Sequence, residues 1–241
     1  GPGGEIWAQI DEWPLGNQMP TSAWPIGGIV RQPVRLTIPE GTPPGEYELQ
    51  LAVYDPATGA PLRAPEGPFF VPGVGLRLGK VIVTAVAAEQ ACPSWPPPLM
   101  TAGHIRLEQA EVAPGAYRAG GRLPFLLTWR SCSKQRSEAD SFLVIARLRD
   151  ARGHTVAEAR EPFVNGRYPL PTWPPGVQMR DRHVLTLPGS LQDGTYRLTI
   201  GLAREGSGDA TIYRWGLWPA GKELEVARVK VEARPIVRIP P

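Results

Sequence analysis

The chain has 241 residues, is 42% hydrophobic and carries a formal net charge of only +3. This length suits one large or two ordinary domains, and the hydrophobic content is sufficient for packed cores. The low charge argues against nucleic-acid binding, and the small group Arg147, Arg149 and Arg152 is interpreted as a solvated strand edge. No apolar run reaches about 18 residues, so the sequence predicts no membrane-spanning segment.

The chain repeats itself. Shifted by 149 positions, residues 4–59 align without a gap with residues 153–208, and 15 of the 56 pairs are identical. The identical residues are mostly Gly, Pro, Trp and Tyr, so what was duplicated is a fold, and the repeat predicts tandem modules. Gly and Pro separate runs of alternating apolar residues, which indicates an all-β protein built from immunoglobulin-like, Greek-key β-sandwich modules.

The first module is predicted over residues 1–87 and is incomplete. Alternation predicts four strands, at 4–12, 29–38, 46–54 and 80–87. They correspond to the C-terminal half of a module that lacks its N-terminal strands, and they leave apolar faces in water. We expect an upstream segment, a neighbouring copy or a different protein partner to complete this module by strand addition. The alternative is that residues 1–87 pack on the second module as one larger sandwich.

A Pro-rich linker is predicted over residues 88–103, and it contains the first of the two cysteines. The second, Cys132, is predicted in the loop after a strand that includes Trp129. An even number of cysteines in a chain with an exported character favours a Cys92–Cys132 disulfide, which would clamp the linker to the second module. Two buried free thiols are the alternative.

The second module is predicted over residues 104–235 as a complete seven-stranded sandwich, followed by a tail over 236–241. Three strands fall within 104–149, and four more are predicted at 153–161, 180–188, 195–203 and 222–233. In the last run the apolar alternation changes phase, which predicts a β-bulge near Ala227.

Four repeated aromatic residues are interpreted as structural. Tyr47 and Tyr196 each open a strand after a Pro/Gly-rich corner, as in a tyrosine corner, where the hydroxyl bonds back to the corner backbone. Trp24 and Trp173 also recur in both modules, and we expect them to pin a loop.

Several motifs resemble β-sandwich modules that lie outside the membrane in certain bacterial proteins. They are residues 20–27 (PTSAWPIG), 43–47 (PPGEY), 54–59 (YDPATG), 128–130 (TWR) and 165–169 (NGRYP). Such modules often follow the multi-pass region of polyprenyl-phosphate-dependent glycosyltransferases, the protein mannosyltransferase-like superfamily. The resemblance implies an extracytoplasmic, cell-envelope location. It implies no catalytic residue, because the chain lacks the acidic membrane-proximal loop of those transferases.

No constellation of residues indicates an active site, a metal or a cofactor, so we predict that the chain is not itself an enzyme. His104, His154 and His183 lie far apart, and each is interpreted as a surface or strand-edge residue. Exposed aromatic rings stack on sugars, and four aromatic residues are free to do so: Trp13, Tyr213, Trp215 and Trp218. The sequence therefore favours a non-catalytic structural or interaction region, with a carbohydrate-binding module as the alternative.

Overall fold

The computed structural model describes residues 1, 4–61, 70–71, 75–85, 92, 96–132, 142–204, 208–215 and 218–233. The chain forms two compact units, Gly1–Val83 (unit 1) and Thr84–Pro241 (unit 2). The described secondary structure consists of strands and short 3-10 turns, which confirms the all-β class.

The described residues of unit 1 form one small antiparallel sheet. Its strands are β1 (Gly45–Leu51), β2 (Phe70–Val71) and β3 (Gly75–Val83), in the order β1-β3-β2. Only Thr42 and Pro43 are buried among the described residues of this unit, so the sheet has no packed core of its own.

The described strands of unit 2 form a sandwich of two layers. The first layer has six strands, and the second has five strands in sequence plus one further short strand, β12, which pairs with β11. The first layer has the order β10-β7-β5-β4-β13-β14 and the second has β6-β15-β11-β8-β9, with β12 on β11. The strands are β4 (Met100–Ala102), β5 (Ile105–Val112), β6 (Ala116–Arg118), β7 (Arg122–Ser131), β8 (Phe142–Arg149), β9 (Thr155–Pro162), β10 (Gln178–Thr186), β11 (Gly194–Arg204), β12 (Gly208–Asp209), β13 (Ile212–Arg214), β14 (Trp218–Gly221) and β15 (Glu223–Glu232).

The core of unit 2 lies between the two layers, because successive strand side chains point to opposite faces. On β8 the inward side chains are Phe142, Val144, Ala146 and Leu148, and on β11 they are Tyr196, Leu198, Ile200 and Leu202. Trp129, Phe163 and Trp173 extend this core as edge-to-face pairs, with ring centroids 5.1 and 5.3 Å apart. Each pair buries a large apolar area in a favourable ring geometry.

All seven strands predicted for the second module are present, as β5, β7, β8, β9, β10, β11 and β15. The predicted bulge also occurs, since the β11–β15 register passes from Ala227 to Glu225 and leaves Val226 unpaired. The predicted linker, 88–103, is too long, because Met100–Ala102 pairs with β5 as strand β4. Short apolar segments next to prolines carry too little alternation to reveal such a strand. The predicted tail, 236–241, lies outside the described residues.

The strands predicted at 4–12 and 29–38 are wrong, since the structure places no strand in either segment. Their counterparts in the repeat, β9 and β10, pair with β8 and β7. The described residues of unit 1 offer no counterpart of β7 or β8, and an extended segment without a neighbour has no ladder to join. The predicted strands at 46–54 and 80–87 correspond to β1 and β3, although β3 begins earlier and ends at Val83.

The repeat is nevertheless preserved in fine detail. The 3-10 turns Pro14–Asn17 and Thr21–Ala23 lie 149 residues before Phe163–Gly166 and Leu170–Thr172. Within them, Leu15 and Val164 have φ of 51° and 52°, a left-handed conformation that is rare for bulky side chains. Two modules with different burial therefore share the same strained turn.

Candidate functional site

The hairpin formed by β13 and β14 gathers exposed aromatic side chains at one edge of the first layer of unit 2. Trp218 and Trp215 are 66% and 49% exposed. The guanidinium carbon of Arg214 lies 4.7 Å from the centroid of the Trp215 ring, within cation–π range. Arg214 and Trp218 are cross-strand partners and therefore share a face of the hairpin. The hairpin presents flat apolar rings beside a cation.

The four aromatic residues predicted to contact a ligand do not form one group. Tyr213 is also exposed, but it pairs with Pro219 and so lies on the opposite face of the hairpin from Arg214 and Trp218. Trp13 is exposed in unit 1, immediately before the turn Pro14–Asn17. The structure thus brings together Trp215 and Trp218 around Arg214, an arginine that the sequence did not single out.

The four residues interpreted as structural make the same contacts in both units. The hydroxyl of Tyr47 donates to the carbonyl of Pro43 (2.6 Å), and that of Tyr196 donates to the carbonyl of Gln192 (3.1 Å). The indole N–H groups of Trp24 and Trp173 each donate across 2.9 Å, to the carbonyls of Met19 and Tyr168. These bonds are all local and fix corners and turns.

Cys92 and Cys132 are joined by a disulfide, with their Cα atoms 5.5 Å apart. The backbone N–H of Cys132 also donates to the carbonyl of His104, at the start of β5. The disulfide therefore ties the segment before β4 to the loop after β7.

A buried ionic cluster connects the edges of the two layers of unit 2. His183 on β10 is almost fully buried, and its Nδ1 lies 2.7 Å from Glu161 Oε2 on β9. Its Nε2 lies 2.8 Å from Asp181 Oδ2, close enough for an ion pair although not aligned as a hydrogen bond. The ring also stacks on Phe125 at 5.4 Å. The interpretation of His183 as a surface histidine is therefore wrong, although its strand β10 does lie at the edge of the first layer.

The environment of His183 decides its charge. Burial lowers the pKa of the imidazole, but the charges and contacts of Asp181 and Glu161 outweigh burial and raise the pKa to about 9. At neutral pH the ring is therefore a cation held between two carboxylates, which makes it an ion-pair partner and a poor general base. Glu161 is one of the identical pairs of the repeat, with Glu12, and that polar identity was the available sequence signal.

A second ionic cluster lies on the outer face of the second layer. Arg147 is 7% exposed. Its guanidinium contacts Glu158 at 2.6 Å, Asp209 at 2.8 Å and Glu223 at 3.3 Å. Burial lowers the pKa of Arg147, but the hydrogen bonds to Glu158 and Asp209 outweigh burial and raise it above its usual value. The interpretation of Arg147 as part of a solvated strand edge is therefore wrong, and the cluster is internally paired.

Within the described ranges, no group of three or more His, Cys, Asp or Glu side chains is arranged to hold a metal ion. Over the same residues, no helix has the length and apolarity needed to cross a membrane.

No known protein family matches the chain, and no curated protein matches it. Among solved structures, the crystal structure of the C-terminal domain of Wzt is similar, with a TM-score of 0.40 and 12% sequence identity. The similarity covers 58% of this chain and 81% of that chain. The all-β class therefore stands on the strands of this chain themselves.

Proposed function

We propose that the chain is a non-catalytic structural and interaction region of a cell-envelope protein, located outside the cytoplasm. The observation that carries this proposal is the apolar surface of unit 1. Large apolar side chains that are buried at the equivalent positions of unit 2 face water in unit 1, including Leu36, Ile38, Leu51 and Val53. An apolar surface of this extent in an otherwise folded chain indicates an interaction site.

The location outside the cytoplasm is supported by the Cys92–Cys132 disulfide, since such bonds persist in oxidising compartments. The motif resemblance supports a more specific proposal, that the chain is the outer tail of a membrane glycosyltransferase. Sequencing the gene around this segment tests that proposal. An upstream multi-pass hydrophobic region supports it, and an upstream signal peptide alone contradicts it.

The interaction role is tested with the 241-residue chain alone. We expect it to bind a hydrophobic dye and to self-associate in sedimentation experiments as its concentration increases, because these apolar side chains of unit 1 are exposed. Leu51→Asp should reduce both, whereas Ile82→Asp is the matched control with a smaller effect, because Ile82 lies on the opposite face of the sheet. A compact monomer that binds no dye would contradict the proposal.

Carbohydrate binding is the second candidate, and the β13–β14 hairpin favours it. Trp215 and Trp218 offer aromatic faces to a sugar ring, and Arg214 adds a donor for hydroxyl or carboxylate oxygens. Affinity electrophoresis against a panel of glycans tests this function. We expect one glycan to retard the protein, Trp218→Ala to abolish the retardation and Leu78→Ala, an exposed apolar residue elsewhere, to leave it unchanged. Equal mobility of all three proteins with every glycan excludes this candidate.

A further inference from the structure

The sheet of unit 1 ends at a strand edge that is paired in unit 2. The pairing of Tyr47 with Val81 in β1–β3 has its counterpart in the pairing of Tyr196 with Val229 in β11–β15. In unit 2, β11 lies between β15 and β8, and Arg197–Arg204 pairs with Arg149–Phe142. Among the described residues of unit 1, β1 is the outer strand of its sheet, and no described strand occupies the edge equivalent to the one that β8 occupies in unit 2.

The two faces of the unit 1 sheet differ in chemistry. One face carries ion pairs, between Glu46 and Lys80 at 2.6 Å and between Glu48 and Arg77 at 2.9 Å. The other carries Tyr47, Leu49 and Leu51, and it is the face that corresponds to the core of unit 2. Leu51 is 45% exposed whereas its counterpart Ile200 is 0% exposed. The charged side chains of the polar face pair with each other, and among the described residues of the apolar face Leu51 is largely exposed.

The irregular segments of unit 1 indicate how many strands would complete it. Segment 4–12 is the counterpart of β9, which pairs with β8, and segment 29–38 is the counterpart of β10, which pairs with β7. Ile38 is 44% exposed and its counterpart Leu187 is 1% exposed. A single added strand would serve β1 and segment 4–12, but segment 29–38 requires a second strand in the opposite layer.

We propose that unit 1 is completed by a strand-forming segment of the same polypeptide that precedes Gly1, as residues 104–149 precede the second repeat. This inference rests on the proposed interaction role and names the occupant of the unit 1 surface. The segment contributes a β8-like strand that runs antiparallel to β1 along its open edge, with alternating apolar side chains facing Leu49 and Leu51. It also contributes a β7-like strand that pairs with segment 29–38.

Order within the repeat is the reason for assigning the occupant to the same polypeptide. In unit 2 the strands β5, β7 and β8 all come before the repeated part, and they reach it through a short turn at residues 150–154. The same connection would deliver a β8-like strand directly to segment 4–12. The apolar side chains of β1 also lie on one face only. This pattern fits a neighbouring strand that has one apolar, core-facing side better than it fits a bound peptide that is exposed on both faces.

Hydrogen exchange tests the inference on two proteins, the 241-residue chain and a natural chain extended upstream by a segment as long as residues 104–149. We expect the extension to slow exchange of the β1 edge amides by roughly 100-fold or more and to remove hydrophobic-dye binding. Unchanged exchange in the extended chain overturns the inference. Protection of β1 in the extended chain that disappears on dilution also overturns it, because a second copy rather than the upstream segment would then occupy the edge.

Two substitutions in the extended chain separate the covered face from the other face of the sheet. Leu51→Asp should abolish the protection of β1, because it places a charge on the face that the added strands bury. Ile82→Asp should leave that protection intact, since Ile82 is 75% exposed and lies on the face of Glu46. Equal effects of the two substitutions contradict the proposed arrangement. If the inference fails while the 241-residue chain still binds dye, the proposed interaction role remains.

Discussion

The backbone N–H of Val164 donates a 3.0 Å hydrogen bond to Oδ1 of Asp181, a carboxylate with no exposed surface. In unit 1 the equivalent backbone N–H, that of Leu15, donates across 2.9 Å to the side-chain oxygen of Gln32. Both donors have positive φ, so the same bond supports the same strained turn in each unit. A carboxylate and an amide serve equally, which argues that this contact belongs to the module's construction rather than to a ligand site.

Asp181 has two tasks, and two substitutions distinguish them. Asp181→Ala removes the acceptor of the Val164 N–H and the negative charge beside His183, so we expect unit 2 to lose about 3 kcal/mol of unfolding free energy. Asp181→Asn retains a side-chain oxygen that can accept the bond from the Val164 N–H, as the amide oxygen of Gln32 accepts the equivalent bond in unit 1. It should therefore cost less unfolding free energy than Asp181→Ala. Chemical denaturation measures both, and equal losses would show that the turn bond contributes nothing measurable.

His183 should make the stability of unit 2 depend on pH. Its pKa is raised from 6.5 to about 9 in the folded protein, by Asp181 and Glu161 acting against burial. The stabilisation is therefore complete below pH 6.5 and is lost as the pH rises through about 9, a change on the order of 3 kcal/mol. Thermal unfolding from pH 6 to pH 9.5 measures the change.

The matched controls for this dependence are His183→Asn and His154→Gln. His183→Asn should flatten the pH profile, whereas His154→Gln should preserve it because the His154 side chain is 72% exposed. A profile of the unsubstituted protein that is already flat between pH 6.5 and 9 would show that His183 is neutral in the folded state.

The sequence predicted what depends on local alternation and repetition. The seven long strands of unit 2 follow from their alternating side chains, and the corners at Tyr47 and Tyr196 follow from a repeated Pro/Gly-Tyr pattern. It failed for segments 4–12 and 29–38, because strand formation there requires neighbours that local sequence does not encode.

The ionic clusters could not be predicted from spacing. Arg147, Glu158, Asp209 and Glu223 come from four different strands and meet only through sheet pairing. The role of Arg214 in the β13–β14 hairpin could not be predicted for the same reason. Arg214 shares a face with Trp218 only because of the register shift between these two strands.

Arg147 should contribute more to the stability of unit 2 than an exposed arginine does. Arg147→Met leaves the carboxylates of Glu158, Asp209 and Glu223 without their shared partner, and we expect a loss of about 3 kcal/mol. The estimate lies at the lower end for buried pairs because those side chains retain 22–34% exposure. Arg228→Met is the control, since Arg228 is 73% exposed and its pair with Glu225 should contribute less than about 0.5 kcal/mol. Similar denaturation midpoints for the two variants would rule out a buried network.

The network should also respond to acid. Burial raises the pKa of Glu223, but hydrogen bonds from Arg149 and Thr199 outweigh it and lower the pKa below 4.5. A lowered pKa contributes stability above pH 4.5 that disappears as the pH falls through the folded-state value. We therefore expect Glu223→Gln to reduce stability at pH 7 and to have a smaller effect near pH 3, as measured by denaturation at both pH values. A constant difference at the two pH values would contradict this assignment.

The Cys92–Cys132 disulfide should be quantitative in the isolated protein. We expect no free thiol when the unreduced protein is unfolded and titrated, and two after reduction. The bridge spans 40 residues, so Cys92→Ser combined with Cys132→Ser should lower stability by roughly 3–4 kcal/mol in the chain-entropy treatment. Two reactive thiols before reduction would show that the bond does not form.

The corner tyrosines provide a test of the repeat itself. Tyr196→Phe removes the bond from the hydroxyl to the Gln192 carbonyl and should lower the stability of unit 2 by about 1 kcal/mol. Tyr47→Phe removes the equivalent bond to Pro43 and should lower the stability of unit 1 by a similar amount. Tyr213→Phe, on the exposed hairpin, is the control and should leave the midpoint unchanged. If Tyr196→Phe matches this control, the hydroxyl bond contributes nothing to the fold, and the repeated tyrosine is retained for the packing of its ring.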